Sequence, residues 1–408
     1  MPLEFHKLDP GRLRDPEVLQ LGFVLLMMIT GFLSIAVSQI CLGSALILLF
    51  YRWVFGKQRP PRTGMELSVI MLAVWALVMV AFSTDRLTSL VFYRRFFLFA
   101  AIWVVASVAT SEQRRWLVFA CGLLGALAVS MYGATRLVLE TGSVFGARFG
   151  AMSNPMTSGS LLMMLLLVGL GFLLSAGHSR RFRLILGAAL LPVLLGTVLT
   201  MTRSAFIGVI TGLGMMLLLS HRRWLVAFVL LAVVGSVVLF GFGDRFLPPA
   251  FERRLSLDYQ FSGKNTTARV EMWRGGWEMV KARPLTGFGD RGLETVAPDY
   301  YGDSSTVYHG HLHNNFVHMA VIWGIPGLLL GILVLVWPGV LLLRRWRNRL
   351  TEPRAGPALT GWILGACGVW LGFFLAGFTE WYFGDAETML IYLAFLGCAL
   401  GTSVRQPA

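Results

Sequence analysis

Residues 157–176 read TSGSLLMMLLLVGLGFLLSA, a run of apolar and small residues without a charged side chain. A helix of about 20 consecutive apolar residues is long enough to cross the hydrocarbon core of a bilayer. Eleven further apolar runs of similar length occur along the chain, on both sides of this one. The pattern predicts an all-α polytopic membrane protein with about twelve transmembrane helices.

The composition points to the same class. The chain is 56% hydrophobic and 14% charged, whereas soluble domains carry about a quarter charged residues. Its net charge of +14 would suggest nucleic acid as the partner of a soluble protein. In a membrane protein, basic cytoplasmic loops explain such an excess, so we expect the lipid bilayer and no nucleic acid as a partner.

The apolar runs divide the chain into three parts. Residues 1–242 hold nine predicted spans, residues 243–312 form one long loop, and residues 313–408 hold three more spans. Within the loop, residues 267–282 have apolar side chains on one helical stripe. These side chains belong to Val270, Trp273, Trp277 and Val280. The stripe predicts an amphipathic helix that lies at the membrane interface, where indole rings are favoured.

Basic residues indicate the orientation of the spans. With twelve spans, 20 of the 35 Lys and Arg residues fall on the side that holds both termini, and they occur in every loop of that side. Short loops rich in Lys and Arg are cytoplasmic. We therefore expect both termini in the cytoplasm and the 243–312 loop outside, which is the periplasmic side in a bacterial inner membrane.

Three arginines lie at outward membrane boundaries. Arg203 begins a span, with Ser204 as the predicted N-cap of its helix, and Arg269 begins the amphipathic helix. Arg148 shortly precedes Asn154. Each of the three arginines, taken alone, would also fit a position at the lipid headgroups or on a solvated face. Together they predict an anionic ligand at the outward surface, because guanidinium groups bind phosphate in bidentate fashion.

Four of the seven histidines are clustered, at His309, His311, His313 and His318. His313 opens a predicted helix beside Asn314, and imidazole changes its charge near neutral pH, which suits a general base for a hydroxyl nucleophile. His309, His311 and His313 occupy alternate positions, and alternate side chains of an extended segment point the same way, so a metal site is the other interpretation. No acidic residue close in sequence completes a ligand set, and we expect no metal. His318 is predicted to pack.

Two acidic residues flank the aromatic stretch before the last span, namely Glu380 and Asp385. Either could orient a catalytic side chain or pair with an arginine. The sequence does not choose between them.

Several motifs resemble those of bacterial O-antigen ligases and the wider ligase and polymerase superfamily. His313-Asn314, nine residues and then Gly324-x-x-Gly327 is similar to the histidine signature of the ligases. The other similar motifs are Arg148-x-Gly150 followed by Asn154-Pro155, Thr202-Arg203-Ser204, Arg269 with Trp273, and Pro284-x-x-Gly287-x-Gly289. The resemblance covers residues 145–385.

The resemblance implies a GT-C-like membrane glycosyltransferase of the inner membrane. Its donor would be O-antigen polysaccharide on undecaprenyl pyrophosphate, and its acceptor a sugar hydroxyl of lipid A-core. By this resemblance Arg203 and Arg269 neutralise the pyrophosphate and His313 activates the acceptor, without a metal or another cofactor. The remaining expected substrate-binding residues are Arg148, Asn154, His311, Asn314 and Asp385.

Two other functions stay open at this point. An O-antigen polymerase would use the same donor with a second lipid-linked glycan as acceptor. A transporter or flippase for a lipid-linked sugar belongs to a different class, and it would be expected to carry polar groups at mid-membrane depth on several spans. The spans of this chain are nearly free of such groups, which favours an enzyme.

Overall fold

A computed structural model describes residues 15–150, 154–242, 264–301, 310–349 and 356–401. All regular secondary structure in these ranges is helical, and no strand occurs in them. The predicted all-α class is therefore confirmed, and the apolar runs read from the sequence can be compared with helices one by one.

The long apolar helices lie where the apolar runs predict them, whereas α12 falls in a stretch that the sequence does not predict as helical. In chain order the α-helices are α1 (Pro16–Thr30), α2 (Ile35–Val54), α3 (Glu66–Val80), α4 (Arg86–Tyr93), α5 (Ala100–Val108), α6 (Glu112–Thr141), α7 (Pro155–Leu174), α8 (Arg180–Leu199), α9 (Arg203–Ser220), α10 (Arg222–Phe242), α11 (Lys264–Ala282), α12 (Leu293–Val296), α13 (Asn315–Asn348), α14 (Pro357–Ala376) and α15 (Ala386–Leu400). Short 3₁₀ helices occupy Arg94–Phe99, Ala297–Tyr300 and Tyr382–Gly384.

Eight of the described helical stretches are long and apolar enough to cross a membrane, by length and composition. They are α2, the stretch Arg86–Val108 that contains α4 and α5, α6, α7, α8, α9, α13 and α14. The apolar helices α1, α3 and α15 are shorter, with 15 residues each. Each predicted span coincides with one of these helices or with α10, while the number of helices that cross the bilayer stays a prediction.

The centre of the bundle is formed by α7 and α14, which are enclosed by other helices along most of their length. α14 packs along both α7 and α9. Where α14 crosses α7, a Cβ atom added to Gly171 would lie 2.5 Å from the amide nitrogen of Gly365, so the absence of side chains permits this close approach. The segment that follows α14, residues 377–385, contacts the starts of α7 and α9.

Helix α13 is broken at Gly324, as the Gly and Pro residues there predict. Gly324 has φ 69° and ψ −178°, a conformation that is open essentially to glycine alone. The break exposes backbone groups that an intact helix would pair, and the loop after α11 binds them. The amides of Phe288 and Gly289 donate to the carbonyls of Val321 (2.8 Å) and Ile322 (3.0 Å).

The return contact comes from the other side of the same break. The amide of Ile325 donates to the carbonyl of Pro284 at 2.7 Å. The indole of Trp75 in α3 donates to the carbonyl of Trp323 at 2.9 Å. Two motifs that are about 40 residues apart in the sequence, the glycine pair of α13 and the Pro-x-x-Gly-x-Gly loop, therefore form one backbone-bonded unit.

The amphipathic helix predicted at 267–282 is present as α11. Met272, Met279 and Val280 are buried, whereas Val270 and Trp277 of the predicted stripe are exposed. α11 packs against α13. The location of α11 at a membrane interface stays a prediction. Residues 243–263 and 302–309 of the long loop lie outside the described residues.

Candidate active site

His313 stands directly before the first turn of α13. Its φ of 46° is positive, and Asn314 follows it as the N-cap of the helix. The Asn314 carboxamide oxygen accepts hydrogen bonds from the amides of Phe316 (2.9 Å) and Val317 (3.1 Å), and its nitrogen donates to the carbonyl of Phe378 (2.9 Å). Asn314 therefore joins the start of α13 to the 377–385 segment, and it holds His313 beside that segment.

The side chain of His313 pairs with Glu380. Nδ1 of His313 lies 2.7 Å from Oε1 of Glu380, whose residue surface is only 5% exposed. Burial by itself raises the pKa of the Glu380 carboxyl. The hydrogen bond and charge of His313, together with the charge of Arg269, outweigh burial and hold this pKa below its ordinary value. Glu380 is therefore ionised at neutral pH.

Arg269 binds the same carboxylate from α11. Its Nη2 lies 3.4 Å from Oε2 of Glu380, and its Nη1 donates to the carbonyl of Thr379 at 3.0 Å. Trp273, one turn further along α11, donates its indole N–H to the carbonyl of Leu312 at 2.8 Å. Each oxygen of Glu380 thus contacts a different one of the predicted catalytic side chains, one His313 and the other Arg269. The structure resolves the choice that the sequence left open in favour of Glu380 as the partner of His313.

The other clustered histidines have different surroundings. The rings of His311 and His313 meet edge to face, with centroids 4.2 Å apart. His311 therefore belongs with His313, Glu380 and Arg269 to one group of side chains, the centre at His313. His318 is 2% exposed and its ring packs 4.3 Å from that of Trp381, which confirms the predicted packing role. His309 lies outside the described residues.

A second group of predicted residues lies around the starts of α7 and α9. Arg148 donates from Nε to the carbonyl of Thr200 (2.7 Å) and from Nη2 to the hydroxyl of Thr202 (2.9 Å). Asn154 is the N-cap of α7, and its side-chain oxygen accepts from two amides of the first turn at 2.9 Å. Arg203 is the first residue of α9 and is partly exposed.

The N-cap of α9 is Thr202, so the prediction that Ser204 is the cap is wrong. The hydroxyl of Ser204 instead accepts a hydrogen bond from the buried Tyr382 hydroxyl at 2.7 Å. One carboxylate oxygen of Asp385 caps α15, because it accepts a hydrogen bond from the amide of Thr388 at 3.0 Å. The other oxygen accepts a hydrogen bond from the hydroxyl of Thr157 in α7.

The 377–385 segment therefore touches both groups. Glu380 binds His313 and Arg269, while Tyr382 and Asp385 bind the starts of α9 and α7. The rings of His311 and His313 are in contact, and Glu380 joins His313 to Arg269. Arg203, Arg148 and Asn154 lie around the starts of α7 and α9, which the same segment also contacts. The roles of all these residues in catalysis and substrate binding remain predictions.

Residues 188–332 match the family model described as O-Antigen ligase. The resemblance read from the motifs is confirmed. The matched segment includes Arg203, Arg269 and His313, whereas Glu380 lies beyond its end. It supports a member of the O-antigen ligase/polymerase superfamily, and so an enzyme of the glycosyltransferase-like kind. No curated protein matches the chain.

For a member of this superfamily, the geometry suggests a base and a charged neighbour. An ionised Glu380 accepts a hydrogen bond from Nδ1–H of His313, which leaves the lone pair of this imidazole on Nε2. A carboxylate in this position also stabilises the imidazolium that forms when Nε2 takes a proton. The side chain of Arg269 remains 24% exposed. The arrangement can therefore remove a proton beside a group that attracts anions.

Proposed function

We propose that this chain is an O-antigen ligase. It transfers O-antigen polysaccharide from undecaprenyl pyrophosphate to a sugar hydroxyl of lipid A-core, at the periplasmic face of the bacterial inner membrane, as a step of lipopolysaccharide biosynthesis. The observation that supports this most strongly is the contact of Nδ1 of His313 with the buried carboxylate of Glu380 at 2.7 Å, with Arg269 on the other carboxylate oxygen.

In this proposal the reaction is a single displacement. Nε2 of His313 removes the proton of the acceptor hydroxyl while the hydroxyl oxygen bonds to the anomeric carbon of the donor. The bond from that carbon to the pyrophosphate oxygen breaks at the same time, and lipid pyrophosphate leaves with the electron pair. A base opposite the leaving group inverts the configuration of the sugar carbon.

The leaving pyrophosphate carries a high negative charge, which the enzyme must stabilise as the bond breaks. Arg203 and Arg269 are the groups proposed for this, since fixed guanidinium groups stabilise developing charge without a metal ion. Arg148, Asn154, His311, Asn314 and Asp385 are proposed to contact the substrates or to hold these groups in place. The transfer is proposed to be independent of metal ions and of other cofactors.

The test uses the purified full-length chain, lipid-linked O-antigen as donor and lipid A-core as acceptor. We expect conjugated lipopolysaccharide to appear at the same rate in the presence of EDTA. His313→Ala should reduce the rate about 10²–10⁴-fold, the usual range for a general base. His221→Ala, at the far end of α9 from Arg203, is the matched control and should keep the wild-type rate.

The competing functions give different products. Longer lipid-linked glycan without any conjugate would indicate a polymerase. Donor movement across a vesicle without any new glycosidic bond would indicate a transporter. A rate that EDTA abolishes and Mg²⁺ restores would overturn the metal-independent mechanism. Any of these three results contradicts the proposal.

The proposed orientation has its own test. Glu278 lies on the exposed side of α11, so a cysteine in its place should react with a membrane-impermeant maleimide. We expect labelling of Glu278→Cys from the periplasmic side of intact cells. Labelling only after the cytoplasmic membrane is opened would reverse the topology, and with it the proposed location of the reaction.

A further inference from the structure

The centre at His313 has the composition of a metal-binding site. One ligand atom from each of His311, His313 and Glu380 can be chosen such that all three lie within 4.8 Å of one another. Two imidazoles and one carboxylate are a common ligand set for Zn²⁺, which a water or substrate oxygen completes to four. Glu380 lies 67 positions beyond His313 in the chain, and for this reason the acidic ligand was not visible from the sequence.

We propose that His311, His313 and Glu380 bind a zinc ion that inhibits the enzyme. The inhibitory part rests on the proposed function, because it requires His313 to act as the base. The zinc-binding part of the proposal does not rest on the proposed function, since it depends only on the three side chains. The ion is not part of the catalytic mechanism in this proposal; it competes with catalysis for the same side chain.

The inhibition follows from the chemistry of imidazole. A neutral imidazole has one lone pair on a ring nitrogen, and its other nitrogen carries the hydrogen. If zinc binds Nε2 of His313, the lone pair that accepts the proton is occupied. If zinc binds Nδ1, the hydrogen moves to Nε2, which then has no lone pair to offer. In both arrangements the imidazole cannot take a proton from the acceptor hydroxyl.

The charges around the centre set the strength of binding. The carboxylate of Glu380 is ionised and compensates part of the zinc charge. Arg269 binds the other carboxylate oxygen, and its positive charge opposes a divalent cation at this distance. We therefore expect reversible binding that a chelator removes readily, in contrast to a structural zinc site, which is closed by four protein ligands.

The binding test uses Co²⁺ as the probe, since it reports its coordination by visible absorption. The purified full-length chain is treated with EDTA, desalted and titrated with Co²⁺, and bound Co²⁺ is then displaced with Zn²⁺. We expect one saturable site that His311→Gln weakens at least about tenfold, because loss of groups that support a metal already costs 10–100-fold in affinity. His221→Gln is the control for histidines elsewhere and should behave like wild type.

The binding part is overturned if no saturable Co²⁺ site exists, or if His311→Gln and His221→Gln behave alike. The Co²⁺ titration requires no transfer activity. It therefore decides the metal site even when the proposed ligase reaction fails.

The inhibition test compares rates within each variant. The transfer rate at each Zn²⁺ concentration is divided by the rate of the same variant in EDTA. We expect the half-inhibitory Zn²⁺ concentration to increase at least tenfold in His311→Gln and to stay unchanged in His221→Gln. Excess EDTA added after Zn²⁺ should restore the wild-type rate. Zinc that binds through His311 without lowering the rate would overturn the inhibitory role.

Discussion

Two of the regions that contain recognisable motifs are built from different chemical groups. The centre at His313 is made of side chains, since Glu380 and Arg269 meet His313 through a carboxylate, an imidazole and a guanidinium. The break in α13 at Gly324 is made of backbone, since amides and carbonyls of two segments pair there.

The difference determines what a substitution does in each region. At the centre a side chain can be replaced by one of similar shape, so the chemistry changes while the backbone stays. At the break there is no side chain to remove, and any added atom must displace backbone. We therefore expect variants of the centre to lose rate first, and variants of the break to lose stability first.

After His313→Ala, the largest effect on the rate is expected at Arg269. Arg269→Ala removes the charge beside the proposed leaving group, and we expect the rate of transfer to fall about 10²–10³-fold, as when one group that stabilises developing charge is removed. Arg274→Ala, an exposed arginine of the same helix, is the control and should change the rate less than twofold. Steady-state rates and thermal unfolding of both variants provide the measurement. Equal loss of rate in both would remove the special role of Arg269.

A smaller effect is expected for Glu380→Gln. The amide keeps the shape but no longer offers two carboxylate oxygens, so His313 is oriented less well and its imidazolium is less stabilised. We expect a rate about 10²-fold lower, a smaller loss than the ~10⁴-fold known when the carboxylate that orients the histidine of a serine-protease triad becomes an amide. Glu278→Gln, at an exposed glutamate of α11, should leave the rate unchanged. A wild-type rate in Glu380→Gln would contradict the assigned partner.

The same variant has a signature in the pH dependence of stability. The folded-state pKa of Glu380 is lowered from the ordinary value of 4.5. Its contribution to stability is therefore complete above the unfolded-state pKa and is lost as the pH falls through the folded-state pKa. We expect the wild type to lose more stability than Glu380→Gln when the pH is lowered below 4.5, measured by thermal unfolding. Parallel curves would show that the carboxylate is not stabilised by its partners.

The smallest effect on rate, and the largest on stability, is expected at the helix break. A Cβ atom on Gly324 would lie 2.3 Å from the carbonyl oxygen of Leu285, and its backbone conformation alone costs alanine about 1–3 kcal/mol. Gly324→Ala should therefore unfold at a clearly lower temperature. Gly187→Ala in α8 is the matched control, since a Cβ there meets no atom within 4 Å. If both variants unfold at the same temperature, the backbone pairing at the break contributes little.

Much of the fold was predictable from the sequence, and the failures are instructive. Apolar runs predicted the long apolar helices because length and hydrophobicity act locally, whereas the short helix α12 was not predicted. The stripe of α11 predicts contact with the membrane interface, and Val270 and Trp277 on it are exposed; the sequence did not show that α11 also buries Met272 and Met279. Ser204 was taken as an N-cap from its type, whereas its hydroxyl pairs with Tyr382 from another helix connection.

The sequence by itself determined the helical class, the positions of the apolar helices and the residue types that carry the family motifs, among them His313, Arg203 and Arg269. These features depend on short-range properties: hydrophobic length, helix capping and spacing along one segment. The tertiary structure alone decided that Glu380, rather than Asp385, is the partner of His313. That pairing lies where the start of α13 bonds to the 377–385 segment, through Asn314 and Asn315, and it joins residues separated by 67 positions. No local pattern encodes such a distance.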